Sequence, residues 1–233
     1  MEPGTLFLVS TPIGNLEDIT LRALRILREV QVLACEDTRV TKSLLQKHDI
    51  PYPETIFSYH EHNEEAAAKR IIGFLQDGKD VALCSDAGTP GVSDPGYRAV
   101  SMTAAEGLPM EVIPGPSAVT SALLLSGLPS SSFTFKGFPP RKSGQRQRFF
   151  GEEAGLAHTL IFYESKFRLV KSLNDALTAL GDRQAAVCFE LTKKFERVHR
   201  GYLSDLVKEL EGINIKGEIT VVIAGNHPKF IRE

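Results

Sequence analysis

Few stretches of this chain combine residue types that chemistry needs. The most prominent, Ser85–Gly96, reads SDAGTPGVSDPG. Three Gly and two Pro in twelve residues exclude a helix or strand interior. It follows the apolar run Val81–Cys84, which predicts a buried strand. A loop leaving the carboxyl end of a strand is where open α/β sheets bind ligands. Its glycines admit close backbone approach, and Asp86 could accept a hydroxyl or amine hydrogen bond; the plainer alternative is a long connecting turn. Two further loops have the same character, Thr11–Asn15 and Pro114–Ala118, and Glu36-Asp37-Thr38-Arg39 forms a charged cluster after the apolar run Val30–Cys35. None of the loops holds a GxGxxG or GxxxxGK[ST] fingerprint, and no Gly-x-Ser-x-Gly elbow or Cys–His arrangement is present. His60-Glu61-His62 offers two imidazoles without a matching third ligand, so no metal site is expected.

Composition narrows the function classes. The 233 residues are 42% hydrophobic and 24% charged, enough for one large or two compact soluble domains. A net charge of −2 argues against non-specific nucleic-acid coating and leaves room for a local basic patch. Cys35, Cys84 and Cys188 sit in apolar runs, as buried thiols in a reducing compartment would. The start, Met1-Glu2-Pro3-Gly4, lacks a signal-peptide pattern, and no run has the length of a membrane span, so a cytoplasmic protein is expected.

Alternating elements must position these loops. Strands are predicted at Thr5–Ser10, Val30–Cys35, Thr55–Tyr59, Asp80–Ser85 and Met110–Ile113. Helices are predicted from Leu21 behind a Thr20 cap, over Thr41–His48 and Glu64–Gln76, from Pro95 in a first turn to about Glu106, and from Ala118 to near Gly127. That order means a mainly parallel sheet covered on both faces, with three binding-type loops on one edge. After the strand Phe133–Gly137, the segment Phe138–Gly144 reads as a boundary, giving domains 1–137 and 138–233. Arg141, Lys142, Arg146 and Arg148 cluster there, as a basic patch or as a solvated linker and helix face. The second half predicts strands at Thr159–Tyr163, Ala185–Leu191 and Glu218–Ala224 and helices at Phe167–Leu180 and Leu203–Leu210, with Lys193, Lys194, Arg197 and Arg200 between strand and helix. An α/β domain with some antiparallel pairing is expected.

Taken together, STPIGNLEDIT (Ser10–Thr20), EDTR (Glu36–Arg39), the Ser85–Gly96 loop, PGPSA (Pro114–Ala118), GFPPRK (Gly137–Lys142), ELTKKFE (Glu190–Glu196) and GEI (Gly217–Ile219) resemble the tetrapyrrole methylase superfamily. They look most like its bacterial branch that methylates the 2′-oxygen of a cytidine ribose in small-subunit (16S) ribosomal RNA. The resemblance spans nearly the whole chain. It implies two α/β domains with S-adenosylmethionine in the cleft between them, a homodimer, and small-subunit ribosomal RNA as partner. By the same resemblance, Pro12 sits against the cofactor, and Asp86, Ala87, Gly88 and Thr89 hold its methionine and ribose parts. Ser117 and Ala118 close the pocket at a helix start, and Tyr163 covers the adenine.

The chain departs from the family pattern at Tyr163–Arg168 (YESKFR), where Pro-His usually precedes the Arg. It also stops soon after its last strand, where that branch often carries a further helical extension. Methyl transfer from a sulfonium needs an in-line nucleophile, and a ribose hydroxyl needs a base or an orienting group. Asp37 and Glu190 are the candidates; Asp37 is the preferred catalytic residue, and salt bridges to Arg39 and Lys193 are the competing roles. Arg39 joins Arg141, Lys142, Arg146 and Arg148 as an expected RNA contact. The alternatives are a tetrapyrrole carbon methylase and a non-catalytic RNA-binding protein; the RNA-type loops and the basic clusters argue against the first, and the retained cofactor loops against the second.

Overall fold

The structure, a computed structural model, describes residues 2–214 and 216–232. The chain divides into two compact units, Met1–Ser117 and Ala118–Glu233. In the first, strands β1 (Leu6–Val9), β2 (Val32–Cys35), β3 (Thr55–Ser58), β4 (Val81–Cys84) and β5 (Met110–Ile113) alternate with helices α1 (Leu21–Glu29), α2 (Thr38–Lys47), α3 (Glu64–Gln76) and α4 (Tyr97–Ala105). The strands pair in the order β3-β2-β4-β1-β5, and every pair is parallel.

The central strands are buried along their whole length, because apolar residues face both sides of the sheet. Alternate residues serve opposite layers. Phe7, Val9, Leu33, Cys35, Ala82 and Cys84 pack with Ala23, Ile26 and Leu27 of α1 and Leu44 and Leu45 of α2. Leu6, Leu8, Val32, Ala34, Val81 and Leu83 pack with Ala68, Ile71 and Leu75 of α3 and Ala99 of α4. The two-residue period of a strand thus assigns each side chain to its helix pair.

Two helix starts are corrected. Helix α2 begins at Thr38 rather than Thr41, because the Asp37 carboxylate caps it and accepts from the Arg39 N–H at 2.8 Å. Pro95 lies ahead of α4 rather than in its first turn, since Gly96 occupies the cap position. Gly96 has no side chain to satisfy the free N–H groups of that helix start. Residues from elsewhere do so. Glu64 Oε1 accepts from the Gly96 N–H at 3.0 Å and the Arg98 N–H at 3.2 Å. The buried Tyr59 hydroxyl accepts from the Ala99 N–H at 3.0 Å and donates to Glu64 at 3.0 Å.

The second unit contains α5 (Ala118–Ser126), β6 (Phe133–Phe135), α6 (Ser143–Gly151), β7 (Thr159–Glu164), α7 (Leu169–Leu180), β8 (Asp182–Phe189), β9 (Arg197–Tyr202), α8 (Leu203–Leu210), β10 (Ile219–Ile223) and β11 (Ile231–Arg232). The order is β11-β8-β10-β7-β6, with β9 also on β8; only β6–β7 is parallel. Its core gathers Phe150, Phe162, Leu173, Val187, Phe189, Leu206 and Val221. Contacts divide the chain earlier than residues 137/138, because α5 packs on β8 and β10, and β6 pairs with β7. Strand β9 falls where the sequence suggested a basic connection. Its residues, RVHRGY, lack an apolar run, and cross-strand pairing with β8 makes the strand. Arg197 there lies 4.8 Å from the Phe189 ring centre, and Arg200 donates to the Leu125 carbonyl.

The borrowed cap of α4 has a measurable consequence. Tyr59→Phe strips a buried acceptor from the Ala99 N–H and a donor from Glu64, and is expected to cost about 1–3 kcal/mol in urea unfolding. Burial opposes the charge on Glu64, but the Gly96, Arg98 and Tyr59 donors outweigh it and hold its carboxyl below the ordinary value. The contribution of Glu64 is therefore complete above about pH 4.3 and fades as pH falls through the lower folded value. Glu64→Gln should flatten that part of the acid stability profile, and an unchanged profile would exclude the carboxylate as the cap.

Candidate active site on the first sheet

Parallel strands end together, so the loops after β1, β2, β4 and β5 leave a single edge. They are bonded to one another. Thr11 and Gly88 form an isolated antiparallel bridge, with the Thr11 N–H on the Gly88 carbonyl at 2.9 Å and the Gly88 N–H on the Thr11 carbonyl at 3.1 Å. The Ser10 and Thr89 hydroxyls lie 2.8 Å apart, and the Thr11 hydroxyl donates to the Ser85 carbonyl at 3.2 Å. Gly115, after β5, packs so closely on β1 that a Cβ there would stand 2.9 Å from Ser10 Cβ.

Beside this junction lies a cleft of about 420 Å³. Its floor is Thr11, Pro12, Leu16, Ser85 and Asp86, and its wall is α2, through Arg39, Val40, Thr41, Ser43, Leu44 and Lys47. Arg39, Ser43 and Lys47 are four residues apart and so share one helix face.

Two carboxylates meet at the rim with opposite electrostatic fates. Asp86 Oδ1 accepts from the Asp37 N–H at 3.0 Å, and the Asp86 N–H donates to Glu36 Oε2 at 3.3 Å. Burial, helped by the Asp37 charge, raises the Asp86 carboxyl above its ordinary value, against the pull of the Asp37 N–H and of Arg39. Asp37 is half-buried and grips the exposed Arg39, which donates Nε at 3.0 Å and Nη2 at 2.6 Å. That guanidinium, then the Arg39 N–H, lowers its pKa to about 2.

Of the residues singled out in the sequence, Pro12, Asp86 and Arg39 line this cleft together. Ala87, Gly88 and Thr89 lie in the loop fixed by the bridge to Thr11, and Ser117 closes the loop after β5. Ala118 opens α5, and Tyr163 on β7 packs edge-on against Phe135 and at a tilt against Phe138, at centroid distances of 4.9 and 5.6 Å; both belong to the second unit. Arg141, Lys142 and Arg148 are exposed. Arg146 is not, and its expected role as an RNA contact is corrected. It is buried, with Nε 2.8 Å from Asp175 Oδ2 and Nη1 on the Arg141 carbonyl at 3.1 Å, because α6 turns it onto α7. Glu190 accepts from the Glu218 N–H at 2.9 Å and from Lys193 Nζ at 3.0 Å. Those donors, the Glu218 N–H first, lower its pKa, in keeping with the salt-bridge reading. The three cysteines are free and buried. His60 and His62 are ring neighbours, and among the described residues no three His, Cys, Asp or Glu side chains gather as a metal site.

The sequence reading missed Ser43 and Lys47. The signal is their four-residue spacing from Arg39, which a helix beginning at Thr41 leaves outside its first turn.

Residues 5–207 match the family model described as Tetrapyrrole (Corrin/Porphyrin) Methylases. The chain is 48% identical over 228 residues to the ribosomal RNA small subunit methyltransferase I of Halalkalibacterium halodurans, covering 98% of this chain and 78% of that protein. It is 44% identical to the protein of the same name from Thermotoga maritima, covering 95% and 99%. Among solved structures, uroporphyrin-III C-methyltransferase from Thermus thermophilus, complexed with S-adenosylhomocysteine, superposes with a TM-score of 0.63 at 21% identity, covering 95% of this chain and 97% of that one.

The close approach of Gly115 to Ser10 tests the junction. Gly115→Ala is expected to cost about 1–3 kcal/mol by overpacking. In a Ser10→Gly background, which removes the opposing Cβ, the same change should cost much less. Equal costs in both backgrounds, by thermal or urea unfolding, would rule out this contact as the constraint.

Proposed function

Because the chain belongs to the tetrapyrrole methylase family, and within it to the group of ribosomal RNA small subunit methyltransferase I, we propose that it methylates small-subunit ribosomal RNA, at the 2′-oxygen of a cytidine ribose, using S-adenosylmethionine. The observation that carries this reading is identity of 44–48%, along nearly the whole chain, to proteins named for that RNA. Likeness at 21% identity to a uroporphyrin enzyme speaks for a shared fold only. Among the described residues no helix is long and apolar enough to cross a membrane. The same reading has the enzyme work on ribosomal subunits in the cytoplasm, as a homodimer.

The cleft of the first unit suits the cofactor chemically. S-adenosylmethionine supplies a methyl group on a cationic sulfur, to be displaced in line by an incoming oxygen. Pro12, Leu16 and Leu44 offer apolar lining, and the half-buried Asp86 offers a carboxylate for a ribose hydroxyl or an ammonium group. Loop backbone fixed by the Thr11–Gly88 bridge orients Ala87, Gly88 and Thr89 beside it without paying ordering entropy on binding. The protein's own contribution is then positioning and exclusion of water.

Asp37 acts on the substrate side of this reading. As it stands, with Arg39 on both oxygens and a pKa of about 2, it is a poor proton acceptor. The Arg39 side chain is 90% exposed, free to exchange its partner for an RNA phosphate. That exchange would release the Asp37 carboxylate toward the ribose hydroxyl, so RNA binding and basicity are coupled through a single guanidinium.

The activity itself is tested by tritiated-methyl transfer to small ribosomal subunits against a uroporphyrinogen substrate; transfer to the tetrapyrrole alone would overturn the reading. Asp86→Ala should weaken S-adenosylmethionine binding by about 1–3 kcal/mol in calorimetry, the scale of a charge-assisted hydrogen bond; full affinity in a folded variant removes Asp86 from the site. Asp37→Asn should slow single-turnover methylation by on the order of 10²–10⁴ with S-adenosylmethionine affinity near wild type, and RNA affinity should not fall, because Arg39 is then released for phosphate. A full rate combined with a lower melting temperature would leave Asp37 as a helix cap alone.

A further inference from the structure

Strands β6, β7 and β8 point the same way, because β6 is parallel to β7 and β10 is antiparallel to both β7 and β8. The loops that follow them therefore leave one edge of the second sheet, across about 15 Å at ordinary strand spacing. Each carries a solvent-facing phenylalanine beside cations. Phe138 is 57% exposed and precedes Arg141 and Lys142. Phe167 is 82% exposed, with Lys166 Nζ 4.9 Å from its ring centre. Phe195 is 72% exposed, with Lys194 Nζ 5.7 Å from its ring centre. Single exposed apolar residues are ordinary, but three large rings on one edge mark an interaction surface.

Inward-facing carboxylates hold these loops. After β7, the buried Glu164 accepts from the Ser165 N–H at 2.6 Å, from Arg168 at 2.7 Å and from the Ser172 hydroxyl. Arg168 also donates to the Pro139 carbonyl at 3.1 Å, which ties the β7 loop to the β6 loop. After β8, Glu190 and Thr192 adopt positive φ of 50° and 65°, unusual for such residues. The Glu190 carboxylate fills the space where a side chain on Gly217 would stand, and Lys193 bridges Glu190 and Glu218. With Lys193 and Arg168 turned inward, Lys194, Phe195, Lys166 and Phe167 are left facing water on preordered backbone.

We propose that this edge binds unpaired ribosomal RNA, with Phe138, Phe167 and Phe195 as stacking platforms for bases and Arg141, Lys142, Lys166 and Lys194 at the phosphates. The inference rests on the ribosomal RNA reading above and deepens it. Aromatic faces interleaved with cations are the chemistry of single-stranded RNA recognition. The cores of protein–protein interfaces, by contrast, are depleted of lysine. In a chain of net charge −2, a local basic edge is what would draw a polyanion to one face.

The test uses the full chain and a fluorescein-labelled single-stranded RNA of about 12 nucleotides, with the matching duplex as control, followed by anisotropy across a salt series. Phe138→Ala, Phe167→Ala and Phe195→Ala should each weaken single-strand binding about 5- to 100-fold and leave the salt slope unchanged. Each Phe→Tyr should retain affinity. Lys166→Gln and Lys194→Gln should each flatten the salt slope by about 1. Sedimentation and methyl transfer to small ribosomal subunits are measured on the same preparations. Phenylalanine variants with wild-type RNA affinity overturn the proposal; if they also sediment as smaller species, the rings join copies of the chain. Wild-type protein that fails to methylate the subunit refutes the ribosomal RNA reading itself, whereas an active enzyme whose three phenylalanine variants bind RNA unimpaired refutes this edge alone.

Discussion

The pairing of Thr11 with Gly88 is the constraint from which the first unit's site follows. A parallel ladder ends abruptly, and the backbone groups just beyond it have lost their partners. Here the loops beyond β1 and β4 supply one another's partners by a reversed bridge, with Ser10, Thr89 and Ser85 adding side-chain links. Glu36 and Asp37 bind across from the end of β2 to Asp86, and Gly115 lets the loop after β5 press on Ser10. The three glycines of Ser85–Gly96 would otherwise make that segment costly to order, a cost its two prolines only partly offset.

The same edge separates two aspartates that are chemically alike. Asp37 meets a guanidinium in water and becomes a firmly ionised cap. Asp86 lies partly buried near the Asp37 charge, and its proton is held more tightly. Their roles diverge because the folded chain gives one an opposite charge and the other desolvation.

The second unit repeats the device of inward carboxylates with different consequences. Glu164 and Glu190 satisfy loop N–H groups and absorb Arg168 and Lys193, so the remaining cations of those loops face outward beside aromatic rings. Asp175 does the same for Arg146, also accepting from Ser143 and Gln147. Which basic residues are available to a partner is thus decided by which carboxylates lie beneath them.

The amino-acid sequence by itself determined the alternation of elements, the parallel first sheet and the Thr20 cap, because apolar periodicity and capping chemistry act over a few residues. The loops at the strand ends were equally legible, since Gly and Pro at that density have one local meaning. Only the tertiary structure decided what depends on distant neighbours. Strand β9 exists through pairing with β8, not through an apolar pattern of its own. The α4 cap comes from Tyr59 and Glu64, more than thirty residues away in sequence. Arg146 reads as one more surface charge until Asp175 is brought against it, and Lys47 joins Arg39 on one wall only because the helix starts at Thr38. Local propensity is a property of residue type, whereas burial, pairing and charge environment belong to contacts that folding creates.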